Sequence, residues 1–383
     1  MAPLVSVIIP AYNASATIER ALRSVLAQTY GQLEIIVMDD GSIDDTAAIV
    51  ERISREDPRI ILLRQPNEGV ATARNVSIAN ARGEFIAPLD SDDIWHPLKI
   101  EKQMAVIVDG GSRIGLVYCL SRFIDEHDII ISNDGRQVEA RGDVFTRLVA
   151  ANFIGNASSP LIRRCCLEQV GGYDSSLRAH GAQGCEDLKV YLAIAEHKDF
   201  DLVPEYLVGY RTAAGSMSRN HASMARSWEI VIGEARSRHP ELPLWLFRWA
   251  RGNYYRWLAL NCLSLKQVCP GLYYLAIAIV HDPSDSVSLW LIRVIAQLIT
   301  RPVKHLRIMR LPRKLYRVIW GQSSVSSVWG MHYVDVCHAV NDGPSTRPRE
   351  YYRQTTVRSL TVRSRDRGAE AGKLCTLKRR AGS

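Results

Sequence analysis

Five absences narrow the 383-residue chain before any motif is read. After the first strand-like run, Leu4–Ile9, the chain continues Pro10-Ala11-Tyr12-Asn13-Ala14, with no glycine. A dinucleotide-binding turn needs glycines there so that the backbone can approach a pyrophosphate, which argues against a nicotinamide-dependent enzyme. The 8 cysteines include no C-x-x-C pair and no metal-ligand spacing, and Cys165 is adjacent to Cys166, a poor geometry for an ordinary disulfide. Reduced thiols in a cytoplasmic protein are the simplest expectation. No long apolar run is present. The longest uncharged apolar stretch, Gln267 to Val280, holds Pro270 and is shorter than the ~20 residues of a bilayer span, so no transmembrane helix is expected. A basic segment followed by an apolar one is also missing from Met1 to Ile9, and no signal peptide is expected. Finally, there is no acid between Ser286 and Val334, where Arg293, Arg301, Lys304, Arg307, Arg310, Arg313, Lys314 and Arg317 supply much of the formal charge of +8. That asymmetry suits an anionic partner.

What is present begins with periodicity. Leu4–Ile9 is short, apolar and β-branched. Ile18, Ala21, Leu22, Val25 and Leu26 then recur at helical spacing. Further strands are read at Leu33–Met38, Arg59–Leu63 and Phe85–Leu89, with helices at Thr46–Ser54 and Ala71–Ala81. This alternation predicts an α/β fold, a mostly parallel Rossmann-like sheet flanked by helices. Ligands of such sheets bind beyond the carboxyl ends of the strands. Asp39-Asp40 and Asp90-Ser91-Asp92-Asp93 both stand there, so they should face one crevice. Acids packed so tightly repel one another, and a hard divalent cation, Mg²⁺ or Mn²⁺, would relieve that repulsion while carrying phosphate oxygens. The competing reading is an acidic turn in which Asp93 caps the next helix.

Six motifs in order carry a resemblance. Pro10-x-Tyr12-Asn13, Asp39-Asp40-Gly41-Ser42, Asn67-x-Gly69-x-x-x-Ala73-Arg74-Asn75 and Asp90-x-Asp92-Asp93 are followed by Gly171-Gly172-Tyr173-Asp174 with Glu186-Asp187. Tyr210-Arg211 with Ser216-Met217-Ser218-Arg219 completes the series. Together they resemble the family 2 glycosyltransferases of GT-A fold over residues 1 to 225. The resemblance implies a nucleotide-sugar donor, usually UDP-linked, a divalent metal, and inversion at the anomeric carbon. Asp92, with Asp90, is then the expected metal ligand, and Asp93 supports them. Tyr12 offers a ring to the base, and Asp39 or Asp40 accepts from base or ribose. Pro10, Asn13, Arg74, Ser91, Ser216, Ser218 and Arg219 complete the donor side. Trp95 either walls the sugar or belongs to the core. His221 is a further candidate, read as a lone surface histidine.

Asp187, with Glu186 beside it, opens a helix read as Leu188–Ala195 and is the expected general base for an acceptor hydroxyl. The preceding stretch, His180–Cys185, reads as a flexible approach. A helix start favours the ionised carboxylate, which predicts a lowered pKa and a weak base that depends on proximity.

Past Arg226 the chain turns helical and aromatic-rich, and its expected use is packing onto the catalytic domain. Asn253-Tyr254-Tyr255-Arg256-Trp257 is similar to the Q-x-x-R-W motif of processive relatives but begins with asparagine, and is read as chance. The expected organisation is a catalytic domain at 1–225, a helical basic region at 226–320 and a disordered basic tail at 321–383. The basic stretch, threaded with Leu306, Met309 and Leu315, suits an anionic membrane surface, placing the protein peripherally on the cytosolic face. A saccharide or lipid-linked saccharide is the expected acceptor. The alternative is a non-catalytic nucleic-acid- or membrane-binding protein. No nucleic-acid module is visible, and no nucleic-acid partner is expected.

Overall fold

The computed structural model of the chain describes residues 2–133, 139–212 and 217–282. Ser216, the basic stretch from Arg293 to Arg317 and the tail beyond 320 lie outside these residues. The first half alternates as read: β1 (Val5–Ala11), α1 (Ile18–Leu26), β2 (Leu33–Asp39), α2 (Thr46–Ser54), β3 (Ile60–Arg64), α3 (Val70–Asn80) and β4 (Phe85–Pro88). β1 pairs in parallel with β2 and β4, and β2 with β3. Every residue of β1 and β2 is buried, as a parallel strand covered on both faces requires. Pro10 falls after the last β1–β4 partners, Ile8 and Pro88, where a missing N–H costs no ladder bond on that side.

Val5, Val7 and Ile9 face one side of the sheet and meet Ile18, Leu22 and Val25 of α1 and Val50 and Ile53 of α2. The other side of β1 and β2 is covered by α3. Each such aliphatic side chain contributes roughly 1.5–3 kcal/mol when fully buried. The exposed pairs Arg23–Glu56 and Arg52–Glu19 on the outer surface are screened by solvent and add little. The core, then, and not the surface charge, holds this layer.

Beyond β4 follow β5 (Ile94–Trp95), α4 (Lys99–Asp109), β6 (Ile114–Ile124), β7 (Ile130–Asn133), α5 (Phe145–Ala150), β8 (Leu161–Arg163), α6 (Arg164–Gln169), α7 (Ser176–Ala179), α8 (Glu186–Ala195) and β9 (Asp199–Arg211). The sheet order is β3-β2-β1-β4-β8-β6-β9-β5, with β7 on β6. Short β8 lies antiparallel between β4 and β6, and long β9 runs parallel to β6. Trp95 is a core residue: its ring is 4 % exposed, and its Nε1 donates to the Ser158 carbonyl at 2.9 Å. Buried Lys99 lies over that ring, its Nζ 4.0 Å from the centroid. Wall and core were the alternatives for Trp95, and burial decides for core.

Three helices close the described chain: α9 (His221–Arg238), α10 (Leu244–Ser264) and α11 (Val268–His281). Trp228 of α9 stacks on Tyr254 of α10 at 4.6 Å, the planes 9° apart. Within Asn253–Trp257, Asn253 and Arg256 are buried, and Arg256 pairs with Asp282 at 2.7 Å. Packing accounts for that segment. No helix among the described residues is long and apolar enough to cross a membrane.

Candidate active site

The site is built from strand ends, as the topology requires. β1 ends at Ala11. Tyr12 then stands half exposed, and Asn13 adopts a left-handed conformation with φ 48°. Asn13 spends its side chain on the neighbouring turn: its Oδ1 accepts from Ile43 N at 3.0 Å, and its own N–H donates to Ser42 Oγ at 3.0 Å. Asp44 accepts from Ser15 N and Thr46 N, both at 3.0 Å, so the loops after β1 and β2 are tied together. Gly41, at φ 79°, lies against the backbone of Asn67; a Cβ there would sit 2.8 Å from Asn67 N.

The two acids at the end of β2 divide their work. Asp40 turns inward and accepts from Gln65 Nε2 at 2.7 Å, Glu68 N at 2.9 Å and Gly69 N at 2.8 Å. Both of its oxygens are thereby engaged in holding the loop that starts α3. Asp39 accepts at Oδ1 from Ser42 N at 3.0 Å, and its other oxygen has no partner among the described residues.

Arg74, one turn into α3, is buried and not on a solvated helix face. Its Nη2 donates to Asp90 Oδ1 at 2.6 Å, and its guanidinium lies 5.1 Å from the Tyr173 ring centroid. Burial opposes the charge, yet Asp90, Tyr173 and Asp187 outweigh it and hold the pKa above the ordinary arginine value. Arg74 Nε and the Tyr173 hydroxyl are both buried without hydrogen-bond partners among the described residues. Asn75 fixes the Gly171-Gly172-Tyr173 turn by exchanging bonds with Tyr173 N at 2.8 Å and Tyr173 O at 2.7 Å.

The acidic turn after β4 also splits by role. Ser91 and Asp92 sit half-buried on the turn. Asp93 does not cap a helix, because β5 follows it directly. It is fully buried, accepting from Ser158 Oγ at 2.6 Å and from Arg211 N at 2.8 Å. Burial and the charges of Asp92 and Asp90 raise its pKa well above the carboxylate range. Burial and Asp90 push Asp92 up to about 6. Arg211, at the end of β9, donates from Nε to the Asp92 carbonyl at 2.7 Å and reaches Asp125 and Asp128 in the β6–β7 turn. Ser158 and Arg211 are the supports that motif reading left unassigned. Arg211 was visible beside Tyr210, whereas nothing in the sequence marks Ser158, 65 positions from Asp93.

Asp187 opens α8 beside Glu186 and close enough to Arg74, Asp90 and Glu186 to feel their charges. Its Oδ1 accepts from Leu188 N at 2.8 Å, while Glu186 Oε2 accepts from Gly184 N at 2.8 Å. The lowered pKa expected at a helix start is not found. Burial pushes Asp187 up to about 6, Arg74 pulling against it and Glu186 adding to it, because the carboxyl lies among buried groups where desolvation outweighs the dipole. Ser218 hydrogen-bonds the Tyr210 phenol close to Asp93 and Asp90, and Arg219 is exposed. His221 is not a surface residue: it is 6 % exposed, with Nδ1 3.0 Å from Cys262 Sγ, away from the acids.

No group of three metal-ligating side chains occurs among the described residues. Burial and the charge of Asp90 raise the Asp92 pKa, a repulsion that a divalent ion would relieve, and Mg²⁺ or Mn²⁺ is commonly held by one or two carboxylates with phosphate and water completing the shell.

Residues 6–140 match the family described as Glycosyl transferase family 2. An uncharacterized glycosyltransferase of Rickettsia felis is 32% identical over 219 residues, 55% of this chain and 33% of its own length. The chondroitin synthase of Escherichia coli is 40% identical over 131 residues, 34% of this chain and 19% of its own length. The chain thus spans about a third or less of the length of the first curated relatives it matches, 33%, 33% and 16%. Among solved structures, a mannosyltransferase from Pyrobaculum calidifontis in complex with GDP-Man and Mn²⁺ aligns with a TM-score of 0.51 at 21% identity, over 86% of this chain and 88% of that one. Likeness at that identity speaks for the fold, which is of the GT-A type.

Proposed function

Residues 6–140 are a family 2 glycosyl transferase domain, and from that premise we propose that the chain moves one sugar from a nucleotide-sugar donor, UDP-linked, to an acceptor hydroxyl with inversion, in the synthesis of a polysaccharide or other glycoconjugate. The observation that carries this reading is that buried Arg74, paired with Asp90 at 2.6 Å, also feels the charge of Asp187, which brings the expected base and the acidic turn to one guanidinium. Tyr12 and the open oxygen of Asp39 take the nucleoside; Asp40 is spent on its loop and does not. Asp92 and Asp90 would hold Mg²⁺ or Mn²⁺, which when bound would supply positive charge to the diphosphate of the leaving group. Arg74 orients Asp90 and keeps Asp187 from losing its charge. Asp187 holds the acceptor hydroxyl and takes its proton as that oxygen attacks the anomeric carbon opposite the nucleotide. One displacement needs one such base. The proposed catalytic domain is 1–225.

A thermal-shift screen of nucleotide sugars with and without Mn²⁺ tests the reading. A UDP-sugar should raise the melting temperature, and Mn²⁺ should add a further increment. Asp92→Ala should lose that increment and keep the wild-type fold by circular dichroism. Equal UDP affinity with and without Mn²⁺ in the wild type would remove the metal from the mechanism.

The membrane is the proposed second partner. α11 presents an uncharged exposed face with Cys269, Leu272, Tyr273 and Val280, immediately before the acid-free basic stretch. Each basic side chain near an anionic leaflet is worth about 1 kcal/mol. Flotation with liposomes should require anionic lipid and weaken as salt rises. It should disappear when Lys304, Arg307, Arg310 and Lys314 become Glu; unchanged flotation of that variant would sink the placement.

A further inference from the structure

Helix α8 begins at Glu186 and Asp187, and Cys185, the residue before them, makes no side-chain cap bond. What holds this helix start comes from α9. The Cys185 N–H donates to Ser227 Oγ at 3.1 Å, both residues being buried. One turn earlier, Ser223 Oγ lies 3.1 Å from the Gly181 carbonyl and 2.9 Å from that of Gln183, and Arg226 Nε donates to the Gly181 carbonyl at 3.0 Å. Further along, Lys189 pairs with Glu234 at 2.7 Å and Arg238 with Glu196 at 2.9 Å. Contacts that advance together on both helices mean that α8 and α9 lie side by side and run in the same direction.

The glycines before Asp187 take their meaning from this contact. A Cβ at Gly184, whose φ is 124°, would sit 2.1 Å from Met224 Sδ, and one at Gly181 would sit 3.4 Å from Arg226. The stretch is therefore not a flexible approach. Glycine supplies the positive φ at both positions, and the side chains of α9 bond the loop backbone so shaped.

We propose that α9 positions the general base: Ser227, assisted by Ser223, fixes the Cys185 amide and so the place from which Asp187 projects. The proposal rests on the reading of Asp187 as that base. Ser227 touches no reacting atom and acts through the helix start. Removing its hydroxyl leaves a buried N–H without a partner, which the loop can relieve only by moving. A displacement of an ångström at a catalytic group costs far more rate than stability.

The test compares Ser227→Ala with Glu234→Ala in the full chain, the second variant breaking a link between the same helices away from the base. Nucleotide release from a panel of UDP- and GDP-sugars with Mn²⁺ gives kcat and donor KM. Hydrogen exchange of peptides covering residues 181–188 gives the loop. Ser227→Ala should lower kcat by about tenfold or more with donor KM within about twofold. Exchange at residues 181–188 should speed about tenfold, while that of β1–β4 stays unchanged. Glu234→Ala should keep wild-type kcat whatever it does to the melting temperature. Unchanged exchange in Ser227→Ala, or equal kcat losses in both variants, would overturn the assignment. A wild type that releases no nucleotide from any donor would instead defeat the transferase reading, and the exchange comparison would still decide whether α9 holds the loop.

Discussion

Asp187→Asn is expected to lower turnover by about a hundredfold or more while leaving UDP affinity as it was. Asparagine retains the oxygen that accepts from Leu188 N, so the start of α8 is preserved. What it loses is the ability to take a proton. In the wild type, kcat/KM should rise with pH through about 6 and level off above it, because burial raises the Asp187 pKa to that value and the ionised form is the active one. The variant should lack this limb. Steady-state rates between pH 5 and 8, with UDP binding by calorimetry, check both statements. Normal turnover on the true acceptor would transfer the role to Glu186.

Arg74→Leu should be the most damaging change to stability in the site, by about 3 kcal/mol. The pair it breaks is short and its guanidinium is buried, but Asp90 keeps 27% of its side-chain exposure, which sets the loss at the low end for a buried ion pair. Two electrostatic consequences accompany the loss. Asp90 is left without its cation, and Asp187 is released from the group that pulls its pKa down. The acidic limb of any remaining activity should therefore move to higher pH, and Arg74→Lys should move it back. Urea denaturation and the pH–rate profile measure the two effects separately. A stability within 0.5 kcal/mol of wild type, roughly what a surface substitution gives, would mean that Arg74 is not held as described.

The first four strands were legible because each is a short apolar run, three of them ended by Pro or Asp, and because β1, β2 and β4 are buried on both faces. The second half of the sheet was not. β8 has three residues and β5 two, too few for any periodicity, and their place is set by partners far along the chain. β9 begins at Asp199, and its early acids are tolerated because Asp199 pairs with Arg113 and Asp201 with Arg141. At the site, clustering of acids was readable but the division of labour among them was not. Asp40 and Asp93 became structural through Gln65, Glu68, Gly69, Ser158 and Arg211, none of which a local pattern ties to them. The Asp187 pKa shows the same limit: the sequence displays the helix start but not the burial that reverses its effect.

The partners of Asp93 bear on how such a chain can be divided or inherited. The family match ends at residue 140, yet both carboxylate oxygens of Asp93 are satisfied from beyond it, by Ser158 and by the amide of Arg211. A fragment cut at that boundary would carry the whole acidic turn and bury one of its charges with no partner. The stretch that the family match covers is therefore shorter than the unit that folds. Exchange of the part beyond residue 140 between relatives would succeed only when a hydroxyl and a strand end at these two places travel with it.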